Sequence, residues 1–222
     1  MFLRYPGRVA RSTRASARFS CLWLALCAIA PALHGAGARH VFVPDPDREG
    51  AAMLQGSTWI GVGPGFTLRV QRIDERQRLA FIEKLTGVRT DPFATPAGAT
   101  PRFLTFVMEL ENNGAGSLDF RAQQCWLVTN RKEFSSPMGM DTLRGTYGLV
   151  GEEPGPAYER VGSAFLPATR TLEPGQSLAG LAVYNAFHPA TRRYKVEIQI
   201  TTSSGNAVTV SAPYKRVKQA QD

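Results

Sequence analysis

Tyr194-Lys195-Val196-Glu197-Ile198-Gln199-Ile200-Thr201 decides the fold. Tyr194, Val196, Ile198 and Ile200 alternate without a break with Lys195, Glu197, Gln199 and Thr201. Side chains of an extended chain point to opposite faces in turn, so a period of two marks a strand with one buried face and one wet face. Ser203-Ser204-Gly205-Asn206 then supplies turn chemistry, and Val208 and Val210 open a returning strand, which makes a hairpin. Pro213, which has no N–H to give to a ladder, is expected to end it.

The same reading extends towards the N-terminus. In Phe103–Glu111, Leu104, Phe106, Met108 and Leu110 alternate with Thr105, Val107 and Glu109, and Asn112-Asn113-Gly114 follows as a turn whose residues tolerate positive φ. Leu118–Arg121 and Cys125–Thr129 read as shorter strands, and Phe66–Ile73 as another. Leu178–Tyr184 is a near-continuous apolar run, suited to a central strand. Ala164–Leu172 is a further strand segment, broken at Pro167. Glu173-Pro174-Gly175-Gln176 fits a type II turn, and Gly180 marks a close approach of a neighbouring chain or a bulge. Trp59 to Phe66 is glycine-rich without the spacing of a phosphate-binding loop, and reads as a flexible or bulged first strand.

One helix interrupts the pattern, Glu75–Thr86. Asp74 suits its N-cap, with Gln77 completing a capping box, and Gly87 suits a left-handed end. Leu79, Ile82 and Leu85 are expected to form its apolar face, and the helix to cover an edge or open end of the sheet. Together, about seven to nine short strands separated by Gly, Pro and Asn turns predict an all-β chain: an immunoglobulin-like antiparallel β-sandwich over 57–214 with one short inserted helix.

The N-terminal 38 residues have a different character. Arg4, Arg8, Arg11, Arg14 and Arg18, with no acidic residue among them, lead into a 13-residue apolar run from Cys21 to Leu33 and then Ala36-Gly37-Ala38. That order is a secretory signal peptide, with cleavage expected before Arg39, and the run is shorter than the roughly 20 residues that span a bilayer. Without it, 21 basic side chains face 18 acidic ones, so the formal charge of +8 falls to +3. A balance that small, without clustered charge, argues against nucleic acid as a partner. Residues 39–56 read as a flexible tether and 215–222, with Lys215, Arg216 and Lys218, as a solvated basic tail. Cys125 alone remains of three cysteines, a buried small hydrophobe with no partner for a disulfide.

Three segments, Asp91-Pro92-Phe93, Phe103–Asn112 and Leu172–Tyr184, resemble exported bacterial immunoglobulin-like domains of unknown function over about Gly65 to Ala212. The resemblance implies a β-sandwich in the cell envelope and brings no catalytic residues. Many such domains are lipoproteins, but Leu26 before Cys27 is not the small residue a lipoprotein signal needs. Membrane contact is therefore expected only if the signal is retained or Cys27 is lipidated.

Chemistry is sparse. His40 and His188 read as exposed, and Ser177 in Gly175-Gln-Ser-Leu-Ala-Gly180 has neither the spacing nor the strand–turn–helix setting of a nucleophile elbow. Trp126, Tyr184 and Phe106 read as core. No catalytic, cofactor-binding or metal-ligating residue is assigned, and no cofactor is expected. The long Gly/Pro-rich stretch from Ser135 to Gly162 is the candidate interaction loop, with Met138, Met140, Tyr147 and Tyr158 as its contact residues. The expectation is an exported, periplasmic or extracellular, non-catalytic module that binds or scaffolds an envelope protein. A small-ligand or metal-binding periplasmic protein is the alternative.

Overall fold

The computed structural model describes residues 40–94, 103–139, 141–142 and 156–218. The signal-like segment, Met140 and Tyr147 lie outside them. Among the described residues twelve strands run β1 (His40–Pro44), β2 (Met53–Gln55), β3 (Thr58–Gly63), β4 (Phe66–Ile73), β5 (Phe103–Asn112), β6 (Leu118–Arg121), β7 (Cys125–Thr129), β8 (Phe134–Ser135), β9 (Thr169–Leu172), β10 (Ser177–Asn185), β11 (Arg193–Thr202) and β12 (Ala207–Lys218). Helix α1 is Glu75–Thr86 and α2 is Pro156–Val161.

Two antiparallel sheets result. One is ordered β10-β5-β4-β3-β2; the other is ordered β1-β12-β11-β6-β9, with β7 on β11 beside β6 and β8 outside β7. The alternation that announces β11 is its burial pattern: Tyr194, Val196, Ile198 and Ile200 are at most 2% exposed. They share one core with Ala212 and Tyr214 of β12, Leu68 and Val70 of β4, and Phe106, Met108 and Leu110 of β5. The chain is thus all-β apart from its short helices, with apolar faces of both sheets in a common interior.

Around β10 the five-stranded sheet is covered on its other face as well. Leu181 and Val183 of β10 join Ile82, Val88, Phe93, Val161, Ala164 and Phe165 in a second cluster. Burial on both faces over Gly180–Tyr184 is why the run reads as continuously apolar, although β10 is the edge strand of its sheet and not the central strand expected. Helix α1 therefore packs over a sheet face, not over an edge or open end. Its caps are as expected: Asp74 accepts from Gln77 N, the Gln77 side chain accepts from Asp74 N, and Gly87 closes the helix at φ 67°. Its buried face is not. Arg78 and Ile82, one turn apart, are its buried positions, whereas Leu85 is 48% exposed.

Arg78 is buried because the Asp91-Pro92-Phe93 loop gives its guanidinium partners. Its Nη2 lies 2.7 Å from Asp91 Oδ2 and donates to Phe93 O at 2.7 Å. Its Nε donates to both Asp91 oxygens at 2.9–3.0 Å, and its Nη1 to Thr105 Oγ1 of β5 at 2.9 Å. A charge taken out of water survives only when paired and hydrogen-bonded in this way. The pair bolts helix and loop to the sheet.

Further expectations change. The stretch read as a tether carries β1, laddered to β12 from His40↔Lys218 to Pro44↔Tyr214, with the Phe42 ring against Phe187 and Tyr194 at about 5 Å. The basic tail is likewise strand as far as Lys218. Pro213 does not end β12: its carbonyl accepts from Asp45 N, so its missing N–H falls on the β1 side where that strand is leaving, and the β11 ladder continues through Lys195↔Pro213. Of the glycine-rich Trp59–Phe66, Trp59–Gly63 forms a regular ladder on β4, which Phe66 opens after the Pro64-Gly65 turn, and a Cβ at Gly61 would sit 2.3 Å from Val210 of the opposite sheet. Ala164–Leu172 is divided: a bridge Phe165↔Leu181 runs beside β10, and only Thr169–Leu172 forms a strand, against β6. The close approach expected at Gly180 is made by this bridge, since a Cβ there would lie 2.9 Å from Leu166 N.

Candidate binding surface beside Phe134

The turn after β7 is built around Thr129. Its hydroxyl accepts from Arg131 N and Glu133 N at 3.2 Å each, and Lys132 N donates to Thr129 O at 3.0 Å. Lys132 takes φ 61°, the left-handed region that favours glycine. Asn130 staples the turn to the start of β11, its Oδ1 accepting from Arg192 N and Arg193 N at 3.0 Å each. The chain so turned returns as β8, paired to β7 through Leu127↔Ser135 and Val128↔Phe134.

Strand β8 has no second strand neighbour among the described residues. Phe134 stands on it 69% exposed. Beside it is an open groove of about 290 Å³, walled by Leu127, Phe134 and Ser135 on one side and by Asn185, Phe187 and His188 on the other. An unpaired strand edge presents backbone donors and acceptors to an incoming chain, and an exposed ring next to a groove offers it apolar contact. Phe134 escapes a sequence reading because Arg131-Lys132-Glu133 hides it in a polar context; its signal is a lone aromatic directly after a turn.

The four loop residues named from sequence are not brought together here. Met138 follows β8 and crosses to the other sheet, where its N–H donates to Val183 O at 2.7 Å and its side chain packs against the second cluster. Its role is to cover the edge of β10. Met140 and Tyr147 lie outside the described residues, and Tyr158 falls on α2, with its side chain outside them too. His188 lines the groove, with Nδ1 accepting from Ala190 N at 3.1 Å; His40 is exposed at the start of β1. Ser177 opens β10, exposed and opposite Glu111.

The interior is chemically quiet. Cys125 is fully buried, and burial pushes its thiol up to about 12, away from reactivity. Phe106 and Tyr184 are core residues, but Trp126 is half-buried on the outer face of its sheet, because its neighbours Cys125 and Leu127 take the inward positions. Tyr194 and Tyr214 stack across the β11–β12 ladder with centroids 4.9 Å apart. Burial raises both hydroxyl pKa values, and the nearby Arg72 charge works against that rise. Arg72 itself donates to Phe42 O at 2.9 Å and so ties β4 to β1. Among the described residues no three His, Cys, Asp or Glu side chains are grouped to hold a metal, and no helix is long and apolar enough to cross a membrane.

No protein-family model matches the chain, and no curated protein matches it. Among solved structures it is similar to the YjhA protein of Bacillus subtilis, with 13% identity and a TM-score of 0.39 over 70% of this chain and 95% of that one. It is also similar to the ApaA protein of Bordetella pertussis, with 11% identity and a TM-score of 0.33 over 73% of this chain and all of that one (100%).

Proposed function

We propose that this chain is an exported, non-catalytic immunoglobulin-like β-sandwich module of the cell envelope, and that its β8 edge docks an extended segment of a partner protein. The observation that carries the reading is Phe134, 69% exposed next to a groove, on a strand whose outer edge is unpaired among the described residues. Soluble chains usually blunt such an edge with charge, proline or a covering loop. The same chain does so at β10, where Met138 and Leu166 donate to Val183 O and Leu181 O. The signal-like N-terminus supports export, and two antiparallel sheets around one interior support the sandwich. Backbone pairing would supply affinity, and the Phe134 groove would select an apolar side chain of the partner.

The test is a photo-reactive amino acid placed at position 134 in the cells of origin, with position 62 as control. Val62 is 74% exposed on the other sheet, so exposure alone predicts labelling at both positions. A discrete crosslinked product from position 134 only, lost when the unlabelled protein competes but not when its Phe134→Asp variant does, is the expected result. Identical products from both positions, or none from either, would overturn the reading.

A further inference from the structure

Two dibasic pairs, Arg192-Arg193 and Lys215-Arg216, are more than twenty residues apart in sequence and adjacent in space. The β11–β12 register sets Arg193 directly opposite Lys215, and Arg216 N donates to Arg192 O at 2.8 Å. Like charges facing each other across a ladder oppose folding. Two acidic residues offset part of that repulsion. Asp45, whose side chain is 8% exposed, lies 2.8 Å from Lys215 Nζ and 3.9 Å from Arg193 Nε; Asp47 is 3.9 Å from Lys215 and 89% exposed. Arg216 Nη1 donates to a neutral carbonyl, Pro189 O, at 2.7 Å. The exposed Arg192 guanidinium has no ion pair among the described residues. Arg192, Arg193, Lys215, Arg216 and Asn130 line an open cleft of about 430 Å³, with no acidic residue in its wall among the described residues.

We infer that this cleft binds a compact, multivalent anion of the phosphate class. Three of its four cations are arginines, whose planar forks match phosphate oxygens in pairs, and Lys215 adds a point charge. The backbone under it is held: Asn130 fixes the amides of Arg192 and Arg193, so the cations are presented from a rigid ladder and not from a mobile tail. An anion in the cleft relieves the repulsion between Arg193 and Lys215, so binding and folding stability are coupled. The chemistry is shared by a free phosphate compound and by the headgroup of an anionic phospholipid.

Pyrophosphate is the first probe, titrated into the purified protein at low ionic strength with calorimetry and thermal unfolding as readouts. Saturable binding is expected, with a rise in Tm and affinity weakening at least about tenfold between roughly 20 and 200 mM salt, as screening of partly exposed charges requires. Arg192→Gln with Arg193→Gln should lower affinity at least tenfold while leaving Tm without ligand within a few degrees. Arg76→Gln with Arg170→Gln changes net charge equally at exposed positions elsewhere, on α1 and β9, and should lower affinity less than twofold. Arg192→Gln alone repeats the test at a side chain with no ion pair to lose among the described residues. Sedimentation with phosphatidylglycerol vesicles separates the sources: co-sedimentation competed by pyrophosphate indicates a headgroup, and pyrophosphate binding without co-sedimentation indicates a soluble ligand. No binding at millimolar pyrophosphate, equal loss in the two double variants, or equal affinity for a short poly-glutamate peptide would overturn the inference.

Discussion

The two ends of the molecule are built on opposite terms. At one end, the turns 64–65, 113–117, 173–176 and 203–206 lace together: Asn113 N donates to Gly65 O, Ser203 N to Ser117 O, and Asn112 N to Gln176 O, all at 2.8–2.9 Å. The shallow cleft between those turns has no charged residue in its wall. At the other end, β8 has no strand on its outer side among the described residues, Phe134 is exposed, and four basic residues line one cleft. Both ends are loops on the same two sheets, and the difference lies in what they leave unsatisfied. Turns whose backbone groups bond one another have little to offer a partner, whereas an unpaired edge and an excess of cations have both affinity and charge to offer.

The comparison breaks most directly at Asn112. It is fully buried, and its amide group donates to Leu172 O and Gly116 O at 2.8 Å each while its Oδ1 accepts from Gly114 N at 3.0 Å. One side chain thus joins the end of β5, the turn after it and the end of β9. Asn112→Ala leaves those groups without it, and an orphaned buried group costs about 1–3 kcal/mol. A loss of about 3 kcal/mol in denaturant unfolding is expected, with no change in labelling from position 134. A loss under about 1 kcal/mol would mean that the laced end is not held by its side chain.

Alkaline pH sharpens the same contrast. Burial raises the Cys125 thiol from 9.0 to about 12 and also raises Tyr184, Tyr194 and Tyr214. A raised folded-state value means that the unfolded chain gives up its proton first. The stability contributed is therefore complete below about pH 9 and lost as pH climbs towards about 12, at about 1.4 kcal/mol per pH unit for the thiol alone. Cys125→Ala should remove that slope between about pH 9 and 11. Tyr194 and Tyr214 sit at the charged end, opposite Thr129 and Pro44. Amides of β1 and of the first residues of β11 should then exchange with solvent before those around Asn112. The reverse order would place the weaker end elsewhere.

Much of the laced end was legible in the sequence and much of the charged end was not. Asn112-Asn113-Gly114, Glu173-Pro174-Gly175 and Ser203–Asn206 announce themselves because turns use few residue types for local reasons. The strands β5, β10 and β11 announce themselves through burial of one face or both. By contrast, Arg192-Arg193 and Lys215-Arg216 each look like solvated charge until an antiparallel register sets them opposite, and register is a non-local property. Arg78 shows the same limit from the other side: a charged residue on a helix reads as exposed, and only the folding of Asp91 and Phe93 onto it makes it core. The tether reading of residues 39–56 failed because a strand of five residues beginning at His40 is recruited by the long β12, not by any pattern of its own.

The smallest effect concerns the turn that presents β8. Lys132 is the one non-glycine residue at positive φ among the described residues, and its side chain is exposed. That conformation costs a residue with a Cβ about 1–2 kcal/mol, while glycine gives back roughly 0.5–1 kcal/mol through the greater freedom of its unfolded chain. Lys132→Gly should therefore stabilise the protein by about 0.5 kcal/mol, which is a rise in Tm of about 1–2 °C at this size. Labelling from position 134 should be unchanged, because Thr129 and Asn130 still set the path of the turn. A fall in stability would show that the lysine side chain itself holds the turn, and that the charged end is tied down more firmly than its free edge suggests.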